Sequence, residues 1–313
     1  MPEYLHALET SSDGFKLRLD YQAPFDWRSM LDFFAQRAIP GVEFIADDSY
    51  LRSFTLRGRA GHFALSFSNG ENSVRLRVSY PEVSHSQEFA DRVRMLFDLD
   101  ADSNNIGNAL AADAVLAPLV ARHPGLRVPG CWDGLEIAVR AIVGQQVSVK
   151  AAATLMTRLV EKVGCDFPIA AAQTKGAIYK VFPEADSLVT ASLSGLGITG
   201  QRVEAIQSLA SAVLEQRLRF DGSQDPRSFR QEICRIKGIG NWTAQYIALR
   251  VLRDPDAFPE GDLILQRALM PEGSSLTAKQ LLQLSESWRP WRAYAVMLLW
   301  RHYQHMRETA TVN

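Results

Sequence analysis

Apolar and charged residues alternate along "KLRLDYQA" and "SVRLRVSYP", the period-two signature of strands with one buried face. The stretch "YLRSFTLRGRAGHFALSFSNGENSVRLRVSY" predicts successive antiparallel strands, with turns at Gly58–Gly61 and Asn69–Asn72. Two segments break this period. "DWRSMLDFFAQRA" is helical, with Asp26 as N-cap and Met30, Leu31, Phe33 and Phe34 as its apolar side, and "SQEFADRVRMLFDL" is a second amphipathic helix. From about residue 101 the pattern turns almost wholly helical. "NNIGNALAADAVLAPLVARH" ends in the loop "HPGLRVPG", and a long helical zone follows from Leu135 to Val163. Further helices are expected near Gln201–Gln216, Pro226–Ile236, Thr243–Leu252, Leu263–Leu269, Ala278–Trp288 and Trp291–Met306. The organisation is a small α+β domain followed by a larger helical body.

The chain has 313 residues, 47% hydrophobic and 22% charged, enough for two or three packed domains of an ordinary globular protein. No apolar run approaches a membrane span, and Met1–Lys16 lacks the apolar centre of a signal peptide, so a cytoplasmic protein is expected. Cys131, Cys165 and Cys234 are widely spaced and form no CxxC pair, which argues against disulfides, zinc and an iron–sulfur cluster. A net charge of −1 argues against non-specific coating of nucleic acid but leaves room for contacts made by backbone amides.

One segment offers such amides. "FRQEICRIKGIGNWTAQYIALRVL" reads helix, short turn, helix. Gly238 and Gly240 permit a close turn, and the second helix starts with unpaired N–H groups and the positive end of its dipole, where a phosphate fits. A corner that binds nothing has the same pattern. After it comes "DPDAFPEGDLILQRAL", in which Asp262 directly precedes an apolar helix. An Asp there is commonly a plain N-cap. The same helix-end N–H groups favour its charged form, and a fixed carboxylate can stabilise an oxocarbenium-like sugar. Trp242 and Tyr246 share a helical face. Trp300 lies half a turn round from Trp291 on the last helix and so faces a different neighbour. Core packing is the bland reading of these rings. The other is an aromatic cleft for a cationic, alkylated purine, which leaves without protonation; no obvious His or Glu stands near the segment to supply a proton.

The hairpin and the aspartate after it resemble the helix-hairpin-helix DNA glycosylases. Further stretches, "APFDWRSMLDFFAQRA", "HPGLRVPGCWDGLEIAVRAIVGQQVSV" and "SWRPWRAYAVMLLW", extend the likeness in order over nearly the whole chain to the DNA-3-methyladenine glycosylase II family. That resemblance implies an α+β N-terminal domain over 1–100, a TATA-binding-protein-like antiparallel sheet with helices. It also implies a mainly α helix-hairpin-helix glycosylase body of two lobes. One lobe comprises 101–133 and 255–313 and carries the aspartate; the other is 134–254, with the hairpin at about 228–252. It implies catalysis by Asp262 and a substrate pocket of Trp242, Tyr246, Trp300, Phe33 and Gln145. It implies DNA contacts from Gln146, Gly238, Ile239, Gly240 and Thr243, with Gln145 and Gln146 in a loop entering the minor groove. A family hairpin can hold Na+ or K+ on backbone carbonyls, which would be those of Cys234, Ile236 and Ile239. The implied partner is double-stranded DNA containing alkylated bases, bound by a monomer without a membrane or a required cofactor. Four positions depart from the family pattern: Gln146 where a leucine wedge occurs, Lys237 for a turn proline, Gly261 before the aspartate, and Leu263 where a pocket tyrosine can follow. Trp242 occupies the slot that is lysine in glycosylase/lyases, which implies a monofunctional enzyme.

Two alternatives stand beside this reading. A non-catalytic DNA damage-binding protein would use the hairpin but would not need Asp262. "GLGITG", Gly195–Gly200, matches the glycine pattern of nucleotide-dependent oxidoreductases, but the preceding "EADSLVTASLS" reads as helix rather than strand, which predicts an interhelical turn. His302 and His305 have no Cys or carboxylate partners in the pattern and predict a solvated helix rather than a metal site.

Overall fold

The computed structural model describes residues 5–312 except 12, 69, 81, 169–173, 175 and 271–275. A six-stranded sheet opens the chain: β1 (Leu5–Ser11), β2 (Gly14–Asp20), β3 (Glu43–Ala46), β4 (Ser49–Leu56), β5 (Arg59–Phe67) and β6 (Ser73–Ser79). Its spatial order is β1-β2-β6-β5-β4-β3, with every pair antiparallel. β1, which the apolar pattern does not announce, is an edge strand paired only to β2. Gly61 was expected in a turn and instead lies inside β5, opposite Phe54. A Cβ there would come within 2.6 Å of the Phe54 ring, so the strand takes glycine for close packing.

Helices α1 (Trp27–Ala35) and α2 (Ser86–Phe97) add their apolar sides to the sheet's core, where Phe34, Tyr50 and Phe97 meet ring to ring. Asp26 caps α1 through the Ser29 N–H at 3.0 Å, as the pattern predicts. The rest is helical: α3 (Ser103–Leu110), α4 (Ala117–Arg122), α5 (Gly134–Val143), α6 (Val149–Val163), α7 (Ala185–Thr190), α8 (Gly200–Leu214), α9 (Pro226–Cys234), α10 (Asn241–Ile247), α11 (Leu263–Leu269), α12 (Ala278–Leu284) and α13 (Arg292–Val312). A two-stranded ribbon, Cys165–Asp166 with Lys180–Val181, lies between α6 and α7. Among the described residues no helix is long and apolar enough to cross a membrane.

Two cores result. One joins the sheet domain to residues near 101–132 and 248–299; the other lies within 135–247, with Ile39 and Val42 added from the first domain. A buried ion network locks them together. Arg52 on β4 pairs with Glu43 at 3.1 Å and with Glu136 on α5, and Arg140 pairs with Glu136 at 2.7 Å and with Glu43. The helical zone predicted as continuous over 135–163 is interrupted at Gly144–Ser148. Gln146 takes a left-handed φ of 55° there, and Ser148 starts the new helix by accepting the Ala151 N–H at 3.2 Å. Gly195–Gly200 leads from α7 into α8, with Gly195 and Gly197 at positive φ and a helix rather than a strand directly ahead of it; this removes the context a dinucleotide site needs.

Candidate active site

The hairpin joins α9 to α10. Gly238 stands at φ 94°, a conformation that a side chain would strain. Gly240 is the N-cap of α10 and has no side chain to cap it, so the amides of Asn241, Trp242 and Thr243 start the helix without a side-chain acceptor. The loop at 144–148 is tied to this turn. Gln145 Nε2 donates to Gly238 O at 2.8 Å and lies 3.1 Å from Thr243 Oγ1, while Arg202 donates to Gln145 O. Gln145 therefore braces the hairpin with the side-chain amide expected in the pocket. Thr243 is 2% exposed, so its hydroxyl is turned inward towards Gln145 rather than out to solvent. Gln146, next in the loop, is exposed at its tip.

After α10 the helix passes into a π turn, Ala248–Leu252, and ends at Arg253 in the left-handed region. The chain then crosses to Asp262, the N-cap of α11. Its Oδ1 accepts the N–H groups of Ile264 at 2.8 Å and Leu265 at 3.0 Å. Trp242 Nε1 donates to Oδ2 at 2.8 Å, and Trp300 Nε1 approaches Oδ1 at 3.5 Å. The carboxylate is 5% exposed. A capping aspartate needs only the first two donors; the two indoles are additional, and they come from different helices. Four N–H dipoles aimed at one acceptor-only group suit an anion.

The rings that hold Asp262 also meet one another. Trp242 and Tyr246 are stacked, centroids 5.5 Å apart and planes 14° apart, and Tyr246 lies 6.1 Å from Trp300. All three are half-buried. Trp291, by contrast, packs edge-on against Tyr294, so Trp291 and Trp300 do face different neighbours. Phe33 is buried, and the Arg37 guanidinium lies 3.7 Å from its ring centre. Arg250 is 4.9 Å from the same ring and donates to the Tyr246 hydroxyl at 2.9 Å. What Phe33 contributes on that side is thus a seat for guanidinium.

The residue pattern does not announce these two arginines, although each stands four residues after an aromatic, Phe33 then Arg37 and Tyr246 then Arg250. Both shape the titration of Tyr246. Burial by itself raises a phenol, but Arg250 and Arg37 beside it bring Tyr246 below the ordinary tyrosine value. Burial lowers the Arg37 guanidinium to about 10, with neighbouring Arg250 adding to the fall and Tyr246 opposing it. A glutamate does stand near the segment, against the expectation: Glu260 lies two residues before Asp262, where it accepts the Asn241 side-chain amide at 2.6 Å. Leu263, the first residue of α11, is 61% exposed, and Gly261 opens onto free space. Among the described residues, no group of three or more His, Cys, Asp or Glu is placed to hold a metal ion, and His302 and His305 are no exception.

A sheet domain followed by a helical hairpin body, with a buried carboxylate at the next helix start, is the architecture of helix-hairpin-helix base excision repair proteins. Residues 16–133 match the AlkA N-terminal domain family, and residues 139–290 match the HhH-GPD superfamily base excision DNA repair protein family. DNA-3-methyladenine glycosylase 2 of Escherichia coli K12 is 35% identical over 289 residues, covering 90% of this chain and 95% of that protein. The chain belongs to the DNA-3-methyladenine glycosylase II family. The probable bifunctional transcriptional activator/DNA repair enzyme AlkA of Mycobacterium tuberculosis H37Rv is 36% identical over 297 residues, 95% of this chain; the chain spans only 59% of that protein's length. The 3-methyladenine DNA-glycosylase of Archaeoglobus fulgidus shares the fold, with a TM-score of 0.80 at 20% identity over 92% of this chain and 98% of that one.

Proposed function

We propose that this protein is a monofunctional DNA glycosylase that extrudes alkylated bases, 3-methyladenine and 7-methylguanine among them, and hydrolyses the N-glycosidic bond to leave an abasic site. The observation that carries the reading is the Asp262 carboxylate, set at a helix start and approached by two indole N–H groups besides the cap. Such an anion, held without reorganisation, stabilises positive charge as the sugar becomes oxocarbenium-like. An alkylated purine is already a good leaving group, so the step asks for no acid. Trp242, Tyr246 and Trp300 offer the π faces a cationic base prefers.

DNA is the partner this reading requires. The amides of Gly238, Ile239 and Gly240 and of the first turn of α10 take the backbone phosphate. Gln146, at the exposed loop tip, fills the space left by the extruded nucleotide and hydrogen-bonds the orphaned base. A Na+ or K+ would sit on the carbonyls of Cys234, Ile236 and Ile239 and add positive charge beside that phosphate. An all-carbonyl donor set suits a hard cation, and Ile236 O, which accepts the Ile239 N–H at 3.0 Å, keeps a second lone pair for it. The protein acts as a monomer and needs no other cofactor. With Trp242 in place of an amine, no covalent sugar intermediate forms.

Incubation with DNA treated with a methylating agent, followed by chromatography of the freed bases, tests this. Release of 3-methyladenine and 7-methylguanine is expected, with no adduct trapped by borohydride. Tight binding to damaged DNA without release of any base would make the protein a damage-binding module, and a trapped adduct would make it a lyase.

A further inference from the structure

The Tyr246 hydroxyl has one hydrogen bond to give. Its oxygen accepts from Arg250 Nη1 at 2.9 Å. Among the described residues no acceptor takes its own proton, although Tyr246 is half-buried between Trp242 and Trp300. Arg250 is not free to turn away. It is 3% exposed, and it donates Nε to Pro129 O and Nη2 to Gly130 O at 2.7 Å. Those carbonyls belong to the segment that leads from α4 into α5, and the π turn delivers the guanidinium to them. On the other side Arg37 is stacked on Phe33.

We propose that Arg250 is a positioning residue that fixes the Tyr246 hydroxyl, and that Tyr246 is a specificity-determining residue whose O–H donates to an acceptor on the edge of the extruded base, a ring nitrogen or a carbonyl oxygen. This rests on the glycosylase reading above. The cleft then carries a carboxylate at one end and two guanidiniums at the other. A purine with an acceptor on one edge and an alkyl-induced positive charge on the other is oriented by that field as well as by stacking. The groups facing the hydroxyl's surroundings are Arg250 on its own helix, Arg37 after α1 and Arg140 on α5, all cationic. They favour the phenolate, which cannot donate, so base release declines on the alkaline side before an ordinary tyrosine would titrate, near about pH 10.

The test is the single-turnover release of 7-methylguanine, whose O6 and N3 are acceptors, from a duplex oligonucleotide between pH 6 and 10. Parent, Tyr246→Phe, Arg250→Lys and the double variant are compared. Tyr246→Phe keeps the ring and is expected to be slower by about tenfold at neutral pH, the worth of one directed hydrogen bond, and to lose the alkaline decline. Arg250→Lys is expected to lose a similar factor, and the double variant to be no slower than Tyr246→Phe alone, because both act through one hydroxyl. A Tyr246→Phe enzyme within twofold of the parent that keeps the alkaline decline overturns the proposal, as do losses that multiply in the double variant. If Arg250→Lys does not fold, Tyr246→Phe and its pH profile decide the matter alone. A parent that frees no base defeats the glycosylase reading itself; an active parent with an unaffected Tyr246→Phe defeats only this inference.

Discussion

Replacing Asp262 by Asn separates its two structural duties from its proposed chemical one. Oδ1 accepts the Ile264 and Leu265 N–H groups and Oδ2 accepts the Trp242 indole. Asn is as good an N-cap as Asp, so the amide oxygen keeps the place of Oδ1 and the start of α11 survives. The NH2 group then faces the Trp242 N–H, donor against donor. That mismatch costs about 1–3 kcal/mol, a melting-temperature fall of roughly 2–10 °C for a chain of this size. The chemical loss is larger. A carboxylate about 4 Å from a developing unit charge at an effective dielectric near 20 contributes about 4 kcal/mol, or roughly a thousandfold in rate. Single-turnover base release from methylated DNA at saturating enzyme, run beside binding to an abasic-site duplex, measures both. A loss of roughly a thousandfold in release with abasic-site affinity kept within about threefold is expected. Release within tenfold of the parent would refute the electrostatic role, and parallel loss of binding and helicity would show that only the fold had been damaged.

Other outcomes follow from the same geometry. Trp242→Phe keeps a stacking ring but removes the N–H donor to Oδ2, and release is expected to slow by about tenfold or more, as for a hydrogen bond to a charged group; an unchanged single-turnover rate would show that the indole N–H is idle. Gln145→Ala frees the 144–148 loop from Gly238 and is expected to weaken duplex affinity, measured by fluorescence anisotropy, with a stability loss of about 1 kcal/mol; an unaltered affinity would remove the bracing role. Glu136→Gln breaks its pairs with Arg52 and Arg140, and a loss of about 3–5 kcal/mol is expected in urea unfolding. Burial alone would raise the Glu136 carboxyl, but Arg52 and Arg140 hold it below the ordinary glutamate value. Its folded pKa is thus depressed, and the stabilisation is full above about pH 4.3 and lost as pH falls through the folded value. The variant should therefore show a flatter stability curve on the acid side, and a parallel curve would place acid sensitivity elsewhere.

Much of this site could be read along the chain because its parts are local. Asp26 and Asp262 announce their helices by position, the hairpin by its glycines, and the strand segments by period two. What escaped reading depends on partners distant in sequence. Arg37 and Arg250 are long side chains whose placement is decided by Phe33, Tyr246 and the carbonyls at 129–130. Thr243 sits where a helix start would offer it to solvent, yet Gln145, 98 residues earlier, draws it inward. The break at Gly144–Ser148 interrupts an apolar pattern that is continuous on both sides, and Gln145 ties it to the hairpin, a partner distant in sequence. β1 gains its order from one neighbour, β2, and carries too few apolar residues to declare itself.

The core that joins the sheet domain to residues near 101–132 takes its remaining members from 248–299. A ribosome making this chain therefore releases the first domain and the hairpin body long before that core can close. α13, which packs against α4 and α11, is made after all of these elements and carries Trp300, one of the donors to Asp262. A nascent chain that stops short of α13 thus presents the hairpin amides before the Asp262 carboxylate has its second indole donor. Synthesis of α13 is what completes the donor set around Asp262.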